Sequence, residues 1–183
     1  MKIFYHSLYT EGISSESSFP RDRYRLVYQS LKDFGGITFC EPEKASLNHI
    51  YEVHDKNFVN SFINGSISVS DQRRIGLRPW NKDIVDRTLY IMGGSISALE
   101  ACLKNGIAGN LAGGTHHSYF DYGSGYCIFN DLVICAAYAK NNFKKIKKIL
   151  IVDLDVHQGD GTASMTFGDD SIFTFSMHCS SNF

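Results

Sequence analysis

Residues 149–161 read ILIVDLDVHQGDG and are the most informative stretch of the sequence. Its first four residues form a short, continuous apolar run, which is typical of a buried strand in a parallel sheet. Because side chains alternate along an extended chain, we expect Asp153, Asp155 and His157 on one side where the strand ends. Such ionisable groups are costly to desolvate without a partner, and a carboxylate with an imidazole suits Zn²⁺ or Fe²⁺. The alternative is a strand-end loop whose polar residues satisfy one another.

A second apolar run, residues 107–112, leads through a Gly-Gly-Thr turn at 113–115 into His116 and His117. The glycines allow a sharp turn or a close approach of the backbone. Adjacent histidines more often belong to a surface loop than to a site. Here they follow a strand, and open α/β sheets place their sites at the carboxyl ends of strands. We therefore expect both histidines to share one site with the polar residues of the first stretch.

Strands and helices alternate along the sequence, which predicts an α/β fold with parallel strands and helices on both faces of the sheet. The predicted strands are residues 2–5, 107–112, 149–152 and 172–176. The predicted helices are residues 20–34, 47–51, 56–64, 82–105, 130–140 and 162–167. Residues 66–80 are polar without a clear period and are predicted to be a loop. Gly93-Gly94, in the middle of the longest helix, indicates close packing or a kink.

Composition favours a globular enzyme with one domain. The chain has 183 residues, of which 43% are hydrophobic, and its net charge of −1 gives no broad field to attract nucleic acid or a membrane surface. No apolar run approaches membrane-spanning length. Five scattered cysteines favour free thiols in a cytoplasmic protein, and we expect Cys127 to pack in the core.

Three ordered motifs carry a resemblance to a known family: LAGGTHHSYFDYGSGYCIFND at 111–131, ILIVDLDVHQGDGTASMTF at 149–167 and IFTFSMH at 172–178. The chain resembles the histone deacetylase family and its arginase–deacetylase fold, a three-layer α/β/α arrangement around a mainly parallel sheet. His157 followed by Gln158 is similar to bacterial relatives of the class IV branch. The resemblance extends over almost the whole chain.

The resemblance implies roles for four residues at the reaction centre. His117 would be the general base that deprotonates the attacking water and then protonates the leaving amine, which contributes roughly 10²–10⁴-fold in rate. His116 would be its electrostatic partner. Asp160 and Asp153 match the carboxylates that hold His117 and His116, respectively, and fix their tautomers.

The resemblance also implies which residues bind a divalent metal ion, the substrate and a monovalent cation. Asp155 and His157 match metal ligands for Zn²⁺ or Fe²⁺. Gly125 matches the residue whose carbonyl accepts from the acyl-amide N–H, and Tyr126 matches the aromatic wall of the substrate channel, with ordinary half-buried packing as the alternative. A structural monovalent cation such as K⁺ would lie among Asp153, Asp155, His157, Ser176 and Met177, although Ser176 alone could equally be a strand-end hydroxyl.

The sequence departs from the family at its end. The family's third metal ligand, an Asp, and its transition-state-stabilising Tyr have no matching position, and Asp169 and Asp170 come too early to replace the ligand. We therefore interpret residues 1–183 as the truncated amino-terminal part of a single deacetylase domain. We expect this chain alone to lack deacylase activity and to need the missing carboxyl-terminal half as a partner.

Three functions remain open from the sequence. The first is metal-dependent hydrolysis of the amide of acylated lysine, in a protein or peptide, or of a related small acylated amine. The second is a non-catalytic remnant or binding module that keeps the channel motifs. The third, an α/β phosphate-binding enzyme that uses the Gly113-Gly114 turn, is disfavoured because neither a Gly-x-x-x-x-Gly-Lys nor a Gly-x-Gly-x-x-Gly motif is present.

Overall fold

The computed structural model describes residues 1–181, which contain alternating helices and parallel strands. In chain order the elements are β1 (Lys2–Phe4), α1 (Leu8–Glu11), α2 (Arg23–Leu31), β2 (Thr38–Cys40), α3 (Leu47–Tyr51), α4 (Lys56–Ile63), α5 (Val69–Ile75), α6 (Lys82–Asn105), β3 (Ala108–Asn110), α7 (Asp131–Asn142), β4 (Ile149–Asp153), α8 (Asp160–Thr166) and β5 (Ile172–Ser176). The predicted α/β class and the parallel direction of the strands are confirmed.

The strands form two parallel sheets instead of the single sheet that the sequence predicted. One has the order β2-β1-β3, with Lys2 opposite both Thr38 and Ala108. The other consists of β4 and β5, with Asp153 opposite Ser176. Within residues 1–181 no ladder joins the two sheets, because the three-residue strand β3 pairs only with β1. Side-chain and loop contacts must therefore connect them.

The long helix α6 forms one wall of the main core. Asn81 begins it by accepting hydrogen bonds from the backbone of the first turn, and Ile84, Met92 and Ile96 are buried along its inner stripe. Gly93 is the point of closest packing, because a Cβ atom there would overlap the carbonyl oxygen of Glu43. The paired glycines therefore serve close packing, one of the two explanations offered by the sequence.

Several segments differ from the prediction: α1 and β2 were not expected, and the stretch 66–80 and α2 differ as follows. The stretch 66–80 is not all loop: α5 begins after Ser68, whose hydroxyl accepts from the Asp71 backbone N–H, and it ends at Gly76. Capping fixes this short helix although its apolar residues show no clear period. Helix α2 (Arg23–Leu31) is shorter than the predicted helix at 20–34, and Val27 on it is exposed.

The strand β4 is not buried on both faces, in contrast to the prediction. Ile151 is buried, but Leu150 and Val152 are 61% and 53% exposed, so the apolar run has one covered and one uncovered face. The bounds of β5 agree with the predicted strand at 172–176. Within residues 1–181, none of the helices combines the length and the apolar character needed to cross a membrane.

Replacing Gly93 with Ala should lower the free energy of unfolding by more than about 2 kcal/mol, because the new methyl group would overlap backbone that α6 packs against. Gly35→Ala is the matched control, since a methyl group there meets nothing within 4 Å, and its effect should stay within about 0.5 kcal/mol. Urea unfolding followed by circular dichroism measures both. Wild-type stability of Gly93→Ala would contradict the close packing.

Candidate active site

The loop after β3 and the end of β4 meet at one cavity of about 350 Å³. His116 and His117 line it from the loop, and Asp155 and His157 line it from the segment after β4. The sequence predicted that these residues share one site, and the structure brings them together. The two strands belong to different sheets, so the cavity is lined by residues that follow a strand of each sheet.

His116 is paired with the last residue of β4. Its Nδ1 lies 2.6 Å from the Asp153 carboxylate, and both side chains are largely buried. The backbone around the pair is tight, because a Cβ atom at Gly159 would overlap the same carboxylate. A carboxylate only accepts hydrogen bonds, so the contact fixes the proton of His116 on Nδ1.

His117 is paired with the first residue of α8. Its Nδ1 lies 2.7 Å from Asp160 Oδ1, which also accepts from the Gly161 backbone N–H. Burial alone would raise the pKa of the Asp160 carboxyl, but these hydrogen bonds outweigh it and hold the pKa below its usual value. Burial and the neighbouring Asp160 raise the pKa of Tyr119 to about 12. Both histidine–carboxylate contacts that the resemblance implied are therefore present in the structure.

Asp155 and His157 form a third pair in a chain that is no longer extended. The strand ends at Asp153, and the bends after it let Asp155 Oδ1 accept from both the backbone N–H and the ring Nδ1 of His157, at 2.8 and 2.9 Å. Burial would raise the pKa of Asp155, but the hydrogen bonds from His157 lower it below its usual value. Asp155 Oδ1 is also 4.0 Å from His116 Nε2, so the third pair adjoins the first.

Gly125 and Tyr126 line the same cavity. Tyr126 has a φ of +67°, an uncommon conformation for a residue with a large side chain. Its backbone N–H donates to Ile75, its ring lies edge-on to Phe19 with centroids 5.2 Å apart, and its hydroxyl is 3.0 Å from that of Ser18. These contacts hold the ring as a wall of the cavity, where the sequence predicted it.

The residues proposed for a monovalent cation are only partly brought together. Asp153 and Ser176 are opposite each other in the β4–β5 ladder, and the Asp153 carbonyl oxygen accepts from the Met177 backbone N–H at 3.0 Å. The Ser176 hydroxyl contacts the Gly159 backbone N–H and the ring of His178. The cation remains a prediction.

Two further residues agree with their predicted places. Cys127 is buried, and burial raises the pKa of its thiol to about 12, so it is not a reactive thiolate. Asp169 does not line the cavity: its carboxylate lies 2.7 Å from Lys140 Nζ and also accepts from Ser171.

Within residues 1–181, no group of three or more His, Cys, Asp or Glu side chains is arranged to hold a metal ion.

Asp131 was not predicted from the sequence, although it supports this site. Its buried carboxylate accepts four hydrogen bonds, from the backbone N–H groups of Gly114 and Thr115 and from the hydroxyls of Thr115 and Ser95, at 2.6–3.2 Å. A Cβ atom at Gly113 would overlap this carboxylate, so the glycine permits the approach. Asp131 therefore fixes the turn that carries both histidines.

Asn130, the residue before Asp131, is also held by hydrogen bonds to distant residues. The backbone N–H of Asn130 donates to Nε2 of His54 at 2.9 Å, and its side-chain amide donates to Thr162 on α8 at 3.0 Å. Burial lowers the pKa of His54 to about 4, so its ring is neutral and Nδ1 donates to the Phe120 carbonyl oxygen. The Asn130-Asp131 dipeptide could be recognised as a helix start, but nothing local indicated what its side chains contact.

Replacing Asp131 with Asn should destabilise the protein by about 2–4 kcal/mol, because the amide NH₂ would face donors that now bind a carboxylate oxygen. Asp121→Asn, at an exposed position, is the matched control and should change the free energy of unfolding by less than about 0.5 kcal/mol. Chemical unfolding measures both variants. Similar stabilities for the two would show that Asp131 does not fix the turn.

Comparison with known proteins adds independent findings. A family model described as the histone deacetylase domain matches residues 17–183. The chain is 42% identical to an uncharacterized protein of Picosynechococcus sp., over 99% of this chain and 61% of that protein. It is 27% identical to histone deacetylase 2 of Arabidopsis thaliana, over 97% of this chain and 49% of that protein. It is also 27% identical to the acetoin utilization protein AcuC of Staphylococcus aureus, over 75% and 37%, respectively.

The chain thus spans between 37% and 61% of the length of these relatives. The family match includes both histidine–carboxylate pairs and the segment after β4. Since it extends from residue 17 onward, the chain belongs to the histone deacetylase family, whose domain implies the arginase–deacetylase fold.

Proposed function

We propose that this chain supplies the reaction centre of a metal-dependent hydrolase that cleaves the amide of acylated lysine or of a related acylated amine. The proposal rests on one observation: three hydrogen-bonded pairs each contribute at least one side chain to the lining of a single cavity. The pairs are His116–Asp153, His117–Asp160 and Asp155–His157. Membership of the histone deacetylase family, with relatives named histone deacetylase and AcuC, supports deacetylase-like hydrolysis.

Asp155 and His157 would hold the divalent ion, and their chemistry fits Zn²⁺ or Fe²⁺. Asp155 Oδ1 and His157 Nδ1 lie 2.9 Å apart and face each other, so an ion held by both would replace the proton that His157 Nδ1 now donates to Asp155. Both side chains are about half exposed, which leaves access for water and substrate. When bound, such an ion polarises the amide carbonyl and lowers the pKa of water to about 7.

His117 would move the proton in the reaction. Its Nδ1 donates to Asp160, so Nε2 is the ring atom that accepts a proton from the attacking water. The water oxygen bonds to the acyl carbon, the C–N bond breaks, and His117 returns the proton to the leaving amine. Asp160 stabilises the imidazolium formed in between, and His116 with Asp153 provides a second imidazole beside it.

Gly125 and Tyr126 would bind the substrate. The Gly125 carbonyl would accept from the amide N–H, and the Tyr126 ring would flank the acylated side chain. The positive φ of Tyr126 and its contacts with Ser18 and Phe19 support a fixed wall at this position. The set around Ser176 and Met177 would bind a monovalent cation such as K⁺ that supports the end of β4.

In this proposal, residues 1–183 form the amino-terminal part of one three-layer α/β/α domain. The free cysteines, of which Cys127 is buried, support a cytoplasmic setting. Nucleic acid is not a proposed partner, because the net charge is −1. The remaining length that the relatives possess would supply the third metal ligand and the hydroxyl donor of the family.

A specific observation favours a second candidate. Asp155 and His157 provide only two donors, whereas catalytic zinc sites in proteins usually have three, and residues 1–181 offer no larger group. A chain of this kind could bind acylated peptides at the cavity without hydrolysing them. Metal binding and hydrolysis must therefore be measured separately.

Replacing Asp155 with Ala should weaken zinc binding by about tenfold or more, because it removes one of the two proposed donors. His117→Ala should change zinc affinity by less than about threefold, since His117 is not a proposed ligand. His49→Ala, which alters a histidine on α3 away from the cavity, is the control. Isothermal titration of the chain with Zn²⁺ measures all three variants.

Hydrolysis of an acetyl-lysine peptide is measured next, with the carboxyl-terminal part of the Picosynechococcus relative supplied as a second polypeptide. Chelator-sensitive turnover should be lost in both Asp155→Ala and His117→Ala. Equal loss of zinc in these two variants would contradict the role of His117 as base. Peptide binding without turnover would favour the binding module.

A further inference from the structure

Two arginines line the same cavity as the histidines, and neither belongs to the reaction centre proposed above. Arg87 lies on α6, and Arg23 is the first residue of α2. Arg87 is only 4% exposed, whereas Arg23 is exposed. The cavity therefore has a buried cation in its wall and a second cation nearer to solvent.

The charge of Arg87 is compensated by neutral groups: a carbonyl oxygen, two aromatic rings and a side-chain hydrogen bond with Tyr24. Its Nε donates to the Tyr9 carbonyl oxygen at 3.1 Å, and its guanidinium carbon lies 5.6 and 5.8 Å from the ring centres of Phe19 and Tyr24. In the part of the chain that the structure describes, no carboxylate forms an ion pair with it. Burial lowers the pKa of Arg87, and the positive charge of Arg23 lowers it further. A buried cation in this setting is strongly disfavoured unless an anion joins it.

Arg23 faces the same two rings. Its guanidinium carbon is 4.8 Å from the centre of Phe19 and 4.9 Å from that of Tyr24, and it donates to the Tyr24 hydroxyl at 2.9 Å. Among residues 1–181 it also forms no ion pair, whereas Arg25 on the same helix is paired with Asp22. Two like charges thus lie near one aromatic pair without a carboxylate between them.

The geometry points to an acyl group that ends in a carboxylate. We propose that the cavity accepts such groups, with Arg87 and Arg23 binding the terminal carboxylate while the amide lies against the histidines. This inference rests on the proposed function and specifies the class of acyl group. The planar guanidinium fork matches a carboxylate with two parallel hydrogen bonds, and the cavity of about 350 Å³ can hold a short acyl chain.

A neutral acyl group of the same length would leave both guanidinium groups without an anion. The cavity therefore selects an acyl group by its terminal negative charge and not by its length. Acyl groups such as succinyl, with a carboxylate at the far end, meet this requirement. Acetyl and other neutral groups do not.

The test uses the full chain without metal and two lysine peptides that differ in one group. One carries succinyl-lysine, and the other carries succinamoyl-lysine, in which a neutral amide replaces the terminal carboxylate at nearly the same size. Isothermal titration at low ionic strength should give at least about tenfold tighter binding of the succinyl peptide, because a buried charged hydrogen bond is gained. Equal affinity for the two peptides overturns the proposal.

Substitutions test whether Arg23 and Arg87 cause the tighter binding of the succinyl peptide. Arg23→Gln and Arg87→Gln should each reduce the ratio of the two affinities at least about threefold, whereas Arg25→Gln, with the same charge change outside the cavity, should preserve it. Arg23 is exposed, so its variant keeps the test valid if Arg87→Gln fails to fold. An unchanged ratio in Arg23→Gln, or the same reduction in Arg25→Gln, overturns the assignment.

These outcomes are independent of hydrolysis. A chain that prefers the succinyl peptide but never cleaves it would contradict the proposed function and support this inference. A chain that cleaves acetyl-lysine peptides but binds both test peptides equally would support the proposed function and overturn this inference.

Discussion

Among residues 1–181 no cation pairs with the buried carboxylate of Asp131, and the positions of the histidines in the site depend on the hydrogen bonds that it accepts instead. Two of its hydrogen bonds come from backbone N–H groups of the turn at Gly114 and Thr115, and two come from hydroxyls. A carboxylate in this position would be destabilising without those donors, so α7 and the turn can pack together in only one way. The turn leads directly into His116 and His117, and their backbone positions are consequently set before any substrate or metal is considered.

The histidines in turn join the two sheets, which no strand ladder connects in the part of the chain that the structure describes. They follow β3 of the first sheet, whereas their partners Asp153 and Asp160 end β4 and begin α8 beside the second sheet. The Thr162 backbone N–H also donates to the His116 carbonyl oxygen at 3.0 Å. The interactions that orient the proposed catalytic groups are therefore also interactions that hold the sheets together. This coupling explains why the site cannot be described apart from the fold.

The features that depend on short-range patterns in the sequence were predicted. The strand ends that carry Asp153 and His116, and the helix that begins after Asn81, follow from apolar runs and capping residues over a few positions. The sequence did not predict that β4 lies in a separate sheet or that α5 forms, because strand pairing is non-local and α5 is defined by its caps alone. Asp131 was overlooked for the same reason: its partners are 16 to 36 positions away in the chain. Arg87, which contacts Tyr9 across 78 positions, gave no local signal at all.

We expect Asp153 and Asp160 to hold the proton of His116 and His117, respectively, on Nδ1. The ¹⁵N chemical shift of each ring nitrogen of these histidines at neutral pH, assigned with Asp153→Asn and Asp160→Asn variants, reports where the proton lies. Nδ1 of both rings should carry a proton, and each variant should disturb the ring of its own partner more than the other ring. An Nδ1 without a proton on either ring would show that the carboxylates do not set the tautomers.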